Sequence, residues 1–239
     1  AYLWARTVIC KNCRATIPLL KTRWLCKKDN KRVVLKMQPN ASRTNVDYGI
    51  WTDVPIIGKT SAQRKLHDAE VGGGTMSRSG ATCPCCGSIM TGEDIRLEGK
   101  AGKLGAHITV VVVEGQQTKE YRLPSEIENS LKNEIPKALD KYTPLLPFGL
   151  PTEATPLGGG SGASRAFSLR SYGLNEWRDL FTPRQLLALS TFVIKTREIR
   201  NSIGDFKYPR EWIEAIQAYE AAGLDRLVDF CNVNTQWKI

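Results

Sequence analysis

Cys10-Lys11-Asn12-Cys13 and Cys83-Pro84-Cys85-Cys86-Gly87 are the residues of this chain best suited to chemistry. Each pair puts two residues between thiols, so one tight turn presents both sulfurs to a single cation while later backbone N–H groups point back at them. Two such turns complete the tetrahedral four-sulfur shell that Zn²⁺ accepts in a closed structural site. A closed shell leaves no position for a reacting water. Cys10, Cys13, Cys83 and Cys86 therefore imply a structural zinc and a scaffold before a catalyst. Two other uses of paired thiols stay open: a redox dithiol, which usually opens a helix, and unrelated buried thiols. Lys11-Asn12, Pro84 and Gly87 read as turns rather than as helix starts. The first pair lacks a following glycine, and the 69 residues between the pairs exceed the usual ribbon spacing. Cys85 could replace Cys83 or Cys86 as a ligand. Cys26 and Cys231 read as small apolar fillers, and His67 and His107 are the only imidazoles on offer.

The elements that would position these thiols can be read from pattern. Residues 2–9 form a strand running into the first pair. Residues 17–25 and 32–37 are β-branched runs joined by the polar cluster 27–31, a hairpin signal. Residues 38–80, with Pro39, Pro55 and Gly72-Gly73-Gly74, read as a long loop or mobile insert. Residues 95–105 read as a basic, glycine-punctuated stretch. Ile108–Glu114 is too dense in β-branched residues for an exposed strand, and 118–123 returns as its hairpin partner. Ser125 and Glu128 stand at capping-box spacing before Ile127, Leu131, Ile135 and Leu139, with Pro136 predicting a kink or an early end. Residues 143–166 hold four prolines and a glycine cluster, a linker without the flanks of a phosphate-binding loop. Thr182-Pro183-Arg184-Gln185 opens a helix with Leu186, Leu189, Phe192, Val193 and Thr196 on one stripe. Pro209 opens another with Trp212, Ile213, Ile216, Tyr219 and Leu227 inward. The expected architecture is α+β: a basic zinc-ribbon-like β module over 1–105, a buried β-hairpin and helix over 106–142, a linker over 143–170 and a helical unit over 171–239.

Charge divides the chain. Residues 1–105 hold 18 Lys and Arg against 8 Asp and Glu, a net of +10, whereas 106–239 hold 16 of each. The excess thus belongs to the cysteine-bearing half. A basic stretch interleaved with aromatics on a small β module is what a polyanion-binding face looks like, and Arg14, Lys21, Arg23, Lys27, Lys28, Lys31 and Arg32 are its candidate phosphate contacts. No apolar run approaches the length of a membrane span and no signal peptide is visible, so a reducing cytoplasm and no membrane partner are expected. The chain opens inside an apolar segment, which reads as a piece excised from a larger protein. No nucleophile–base arrangement and no carboxylate cluster of metal-ligand type is evident, so no catalytic residue is assigned.

Several segments resemble the large adenine-specific DNA methylase family of bacteria and archaea, some members of which are associated with phage defence and restriction-modification. They are Tyr2 to Val8, Cys83-Pro84-Cys85-Cys86-Gly87, Glu120 to Pro124, Tyr172 to Leu189 and Leu224 to Phe230. The likeness runs over nearly the whole chain with a gap at 38–80, and 172–189 is its most specific part. Where the family carries Pro in the first cysteine turn, this chain has Asn12. The resemblance implies an internal stretch between an upstream S-adenosylmethionine loop and a downstream Asp-Pro-Pro-Tyr motif, neither of which occurs here. It thus implies a DNA-recognition or scaffold segment that is inactive alone. Its partners would be double-stranded DNA and the remaining domains of the parent methylase, where S-adenosylmethionine would bind. The competing expectation is a purely structural zinc-binding insert that docks on its parent without touching DNA.

Overall fold

Short apolar and β-branched runs in the first half of the chain build two antiparallel sheets. The computed structural model describes residues 1–116, 118–159 and 167–232. The first sheet has the order β2-β1-β8-β9, formed by β1 (Tyr2–Ile9), β2 (Thr16–Leu19), β8 (Gly105–Glu114) and β9 (Lys119–Arg122). The second runs β3-β4-β5, from β3 (Trp24–Lys28), β4 (Lys31–Pro39) and β5 (Val46–Trp51). A two-stranded ribbon, β6 (Ala81–Thr82) with β7 (Ile89–Met90), carries the second cysteine pair. The fold is therefore mixed α and β with several antiparallel sheets and a helical C-terminal region, as the sequence predicts.

Strand β4 shows how one pattern serves two cores. Val33 and Leu35 point to one face, where they meet Leu25, Cys26, Val110 and Val112 in a core between the two sheets. Each such side chain contributes about 1.5–3 kcal/mol on leaving water. Val34 points to the other face and packs with Trp24 and Val54. A third core lies under the cysteines, built from Val8, Ile17, Ala81, Met90 and Ile95.

Residues 38–80 are not a structureless insert. They complete β4, form β5 and then helix α1 (Ser61–Gly72). The reason the apolar pattern misses α1 is that polar contacts hold it. Leu66, its one large aliphatic beside Val71, is 72% exposed. Instead the Trp24 indole N–H donates to the Asp68 carbonyl at 2.9 Å, and the Arg23 guanidinium donates to the Val71 and Gly73 carbonyls at the helix C-terminus. A Cβ on Gly72 would overlap the Trp24 ring, so glycine is what lets the helix end lie on that indole. The start of α1 is legible in the sequence: Thr60 and Gln63 form a reciprocal capping box.

The stretch 95–105 likewise opens as helix α2 (Gly92–Lys100), capped by Thr91 and Asp94. The turn at 169–172 lies on this helix, and a Cβ at Gly99 would strike the Tyr172 backbone.

The hairpin β8–β9 is no separate body. Strand β8 pairs with β1 through Tyr2↔Val111 to Thr7↔Gly105, which makes β1 an interior strand of the cysteine module. Among the described residues the chain divides into 1–125 with 157–173, and 126–156 with 174–232.

In the second unit the expected helix from 126 to 142 is two helices, α3 (Glu126–Ser130) and α4 (Glu134–Tyr142). Pro136 sits in the first turn of α4, where its missing N–H has no intrahelical acceptor to lose. Ile135 and Leu139 of α4 are buried, whereas Ile127 is 73% exposed. Helix α5 (Pro183–Ile203) begins at Thr182, Pro183 and Gln185 as its sequence predicts. Helix α6 (Arg210–Phe230) follows it. Here the expected inward stripe is only partly inward: Ile213, Ile216 and Leu227 are half-buried, but Trp212 and Tyr219 face solvent. Among the described residues no helix is long and apolar enough to cross a membrane.

Candidate metal centre

Each cysteine pair is the turn of a β-hairpin. Strand β1 delivers Cys10 and returns as β2; β6 delivers Cys83 and returns as β7. The two turns repeat one backbone pattern. The Cys10 N–H donates to the Ala15 carbonyl at 2.8 Å and the Arg14 N–H to the Cys10 carbonyl at 3.0 Å. In the second turn the Cys83 N–H donates to Ser88 at 2.8 Å and the Gly87 N–H to Cys83 at 2.9 Å. The residue after each second cysteine is left-handed, Gly87 at φ 75° and Arg14 at φ 63°. Arg14 thus takes the place of the missing glycine by adopting a conformation glycine adopts freely.

The turns converge. Cys10 Sγ lies 3.7 Å from Cys86 Sγ, and Cys13 Sγ lies 3.6 Å from Cys83 Sγ. All four sulfurs fall within 4.8 Å of one another. A tetrahedron with metal–sulfur bonds of about 2.3 Å has edges of about 3.8 Å, so these two contacts have the length that one shared cation imposes. Among the described residues this is the one cluster of His, Cys, Asp or Glu suited to hold a metal ion. Every corner of the tetrahedron is a protein sulfur, which leaves no place for substrate or water.

Polar contacts around the sulfurs differ between the corners. The Ser88 hydroxyl and backbone N–H, with help from Asn12, hold the Cys86 thiol down to about 5, which favours the thiolate a cation needs. Burial pushes the Cys83 thiol up instead, against backbone hydrogen bonds from Cys85 and Cys86 that pull the other way, and a bound cation would offset the rest. Lys11, between the first two ligands, turns away from the sulfurs. Its Nζ bonds Asp94 of α2 at 2.7 Å and its backbone N–H meets Met90 Sδ at 3.2 Å. The Lys11 ammonium and the Thr91 cap hold Asp94 at about 2. This tie between α2 and the first turn was not anticipated, although the Thr91–Asp94 spacing is visible in the sequence.

The remaining thiols and imidazoles lie elsewhere. Cys85 is buried with its sulfur 3.6 Å from the Asn45 carbonyl, so it plugs the core beside the turn rather than competing for the cation. Cys26 belongs to the core between the sheets. His67 sits beside Asp68, and His107 stacks on Tyr48 at 5.4 Å.

The seven basic candidates do not form one solvated face. Arg32 is buried: it donates to the Val54 carbonyl at 3.0 Å, pairs with Asp68 and stacks on Trp24. Lys27 pairs with the same carboxylate at 2.9 Å. Burial raises the Asp68 carboxyl, but hydrogen bonds from Lys27 and Arg32 outweigh it and the net shift is downward. Arg23 caps α1 as described, and Lys31 bonds Thr118 Oγ1 at 2.7 Å. Arg32 is thereby withdrawn from any phosphate-facing set, and Arg23 and Lys27 are spent in docking α1. Arg14, Lys21 and Lys28 remain exposed. Sequence alone could not separate these groups, because their partners Asp68, Val71 and Gly73 lie some 40 residues away.

Comparison with protein-family models, with curated proteins and with solved structures returns no match.

Proposed function

We propose that the chain is a zinc-stapled scaffold that docks double-stranded DNA for an adenine-specific DNA methyltransferase and performs no chemistry itself. The observation that carries the zinc is the pair of sulfur–sulfur contacts at 3.6 and 3.7 Å between two turns of identical backbone pattern. An all-thiolate tetrahedral shell is the donor set that zinc fills in structural sites. The docking role is supported by the +10 charge of residues 1–105. It falls to Arg14, Lys21 and Lys28, the exposed candidates that form no ion pair among the described residues, whereas the exposed Lys27 is paired with Asp68. The methyltransferase context rests on the sequence resemblance, and S-adenosylmethionine belongs to the parent's other domains in that reading. A second reading, a structural insert that never meets DNA, is favoured by the internal use of Arg23, Lys27 and Arg32.

Two measurements test this. Elemental analysis of the purified, reduced chain gives one zinc per chain, lost in Cys83→Ser/Cys86→Ser together with the structure of residues 1–125. Duplex binding is then followed across salt concentrations for the zinc-loaded chain and for Arg14→Gln/Lys21→Gln/Lys28→Gln. Each lost phosphate contact lowers the slope of log K against log salt by about 0.9, so the triple variant flattens it by about 3. An unchanged slope, or no duplex binding by the zinc-loaded chain, leaves the structural insert as the correct reading.

A further inference from the structure

Helix α6 carries a largely apolar seam that the described residues of its own unit leave exposed. Trp212, Ile216, Tyr219, Gly223, Arg226 and Phe230 succeed one another in alternating steps of four and three, the spacing that keeps a contact seam on one face of a helix. Trp212 is 62% exposed, Tyr219 82% and Phe230 57%. None of the 21 residues of α6 is buried.

Gly223 adds an independent sign. Glycine in mid-helix is unfavourable relative to alanine. A Cβ there would meet nothing within 4 Å, so packing among the described residues gives no reason for it. A reason exists if another backbone approaches the helix at that point.

Helix α5 offers a matching surface. Phe192 is 50% exposed and Ile199 is 42% exposed, seven residues apart on one face, with Lys195 and Arg200 beside them. Helix α5 holds four basic residues against one acidic, and α6 holds five acidic against two basic. The ion pairs Lys195–Glu198, Arg210–Glu214 and Arg226–Asp229 each stay within one helix.

We infer that these helices are a homodimer interface in which the α6 seam of one copy lies on α5 of a second copy, with a two-fold axis repeating the contact. Opposite net charge favours α5 against α6 and disfavours α6 against α6, which selects the pairing. The inference is independent of the proposed zinc and DNA roles.

The test is light scattering of the full chain over a concentration series reaching the high micromolar range. The expected result is a dimer. Lys195→Glu/Arg200→Glu and Glu211→Lys/Asp229→Lys are each expected to weaken it at least tenfold, while an equimolar mixture of the two variants regains it as a heterodimer. Trp212→Ser shows the same loss with helical circular dichroism unchanged. A monomer at every concentration, or two charge variants that fail to associate on mixing while keeping their helicity, overturns the inference.

Discussion

Replacing Arg14 by glycine is expected to stabilise the protein, although it deletes a long side chain next to a metal ligand. Arg14 holds φ 63° where the equivalent residue of the other turn is Gly87 at φ 75°. The left-handed region costs a residue with a Cβ about 1–2 kcal/mol. Glycine gives back about 0.5–1 kcal/mol of that through the greater freedom of the unfolded chain. The net expectation for Arg14→Gly is a gain of about 0.5–1 kcal/mol, or a rise of roughly 2–3 °C in midpoint for a chain of this size. Gly87→Ala is the mirror experiment. A Cβ at Gly87 meets nothing within 4 Å, so no clash contributes and the loss is conformational, of the same size and opposite sign. The assay is thermal and urea unfolding of the metal-loaded protein, with metal content measured for each variant. A lowered midpoint in Arg14→Gly would falsify the equivalence of the two turns, and so would an unchanged midpoint in Gly87→Ala.

Gly72→Ala is expected to cost about 3 kcal/mol, because the new methyl overlaps the Trp24 indole and α1 must lift; unfolding in urea checks the size, and a loss below 1 kcal/mol contradicts the close approach. Asp68→Asn leaves the buried Arg32 without its counter-charge and is expected to cost about 3 kcal/mol near neutral pH. The same pair sets an acid dependence. Asp68 titrates lower in the folded protein than its ordinary 3.8, so its stabilisation is present above that value and drains as pH falls through the folded one. The gap in stability between wild type and Asp68→Asn should therefore shrink on acidification below about pH 4. A gap that stays constant down to the acid transition would rule out the Asp68 carboxylate as its source.

The four-cysteine cluster was legible because each of its two turns is local. A two-residue gap fixes a turn, and two turns ask for one cation, so the four ligands follow from spacing before any long-range contact is known. Strands β1, β4 and β8 were legible for the same reason, since a short run of apolar and β-branched residues reports a strand directly. What escaped was built from polar contacts between distant residues. Helix α1 has almost no apolar stripe and is held by Arg23, Trp24 and Arg32, three residues that read in sequence as parts of a basic, aromatic surface. The hairpin β8–β9 was recognised, but its place beside β1 depends on a pairing across a hundred residues that no local pattern encodes. Trp212 and Tyr219 misled in the other direction. A helical apolar period says that a face prefers burial, without saying whether the same chain provides the cover.

The interior position of β1 also governs the order of events during synthesis. Its neighbour β2 follows at once, but its other neighbour, β8, begins at Gly105. At about 5–20 residues per second the ribosome needs roughly 5–20 s to make the intervening stretch. Through that interval the nascent chain presents one open edge of β1, and Cys10 and Cys13 form only half of a cation site. The second half emerges with Cys83 and Cys86, some twenty residues ahead of β8. Capture of a cation by the four thiolates would thus fix the β1–β2 turn before the missing strand arrives. Metal supply during translation then becomes a determinant of whether β1 is already held in its first turn when that strand arrives.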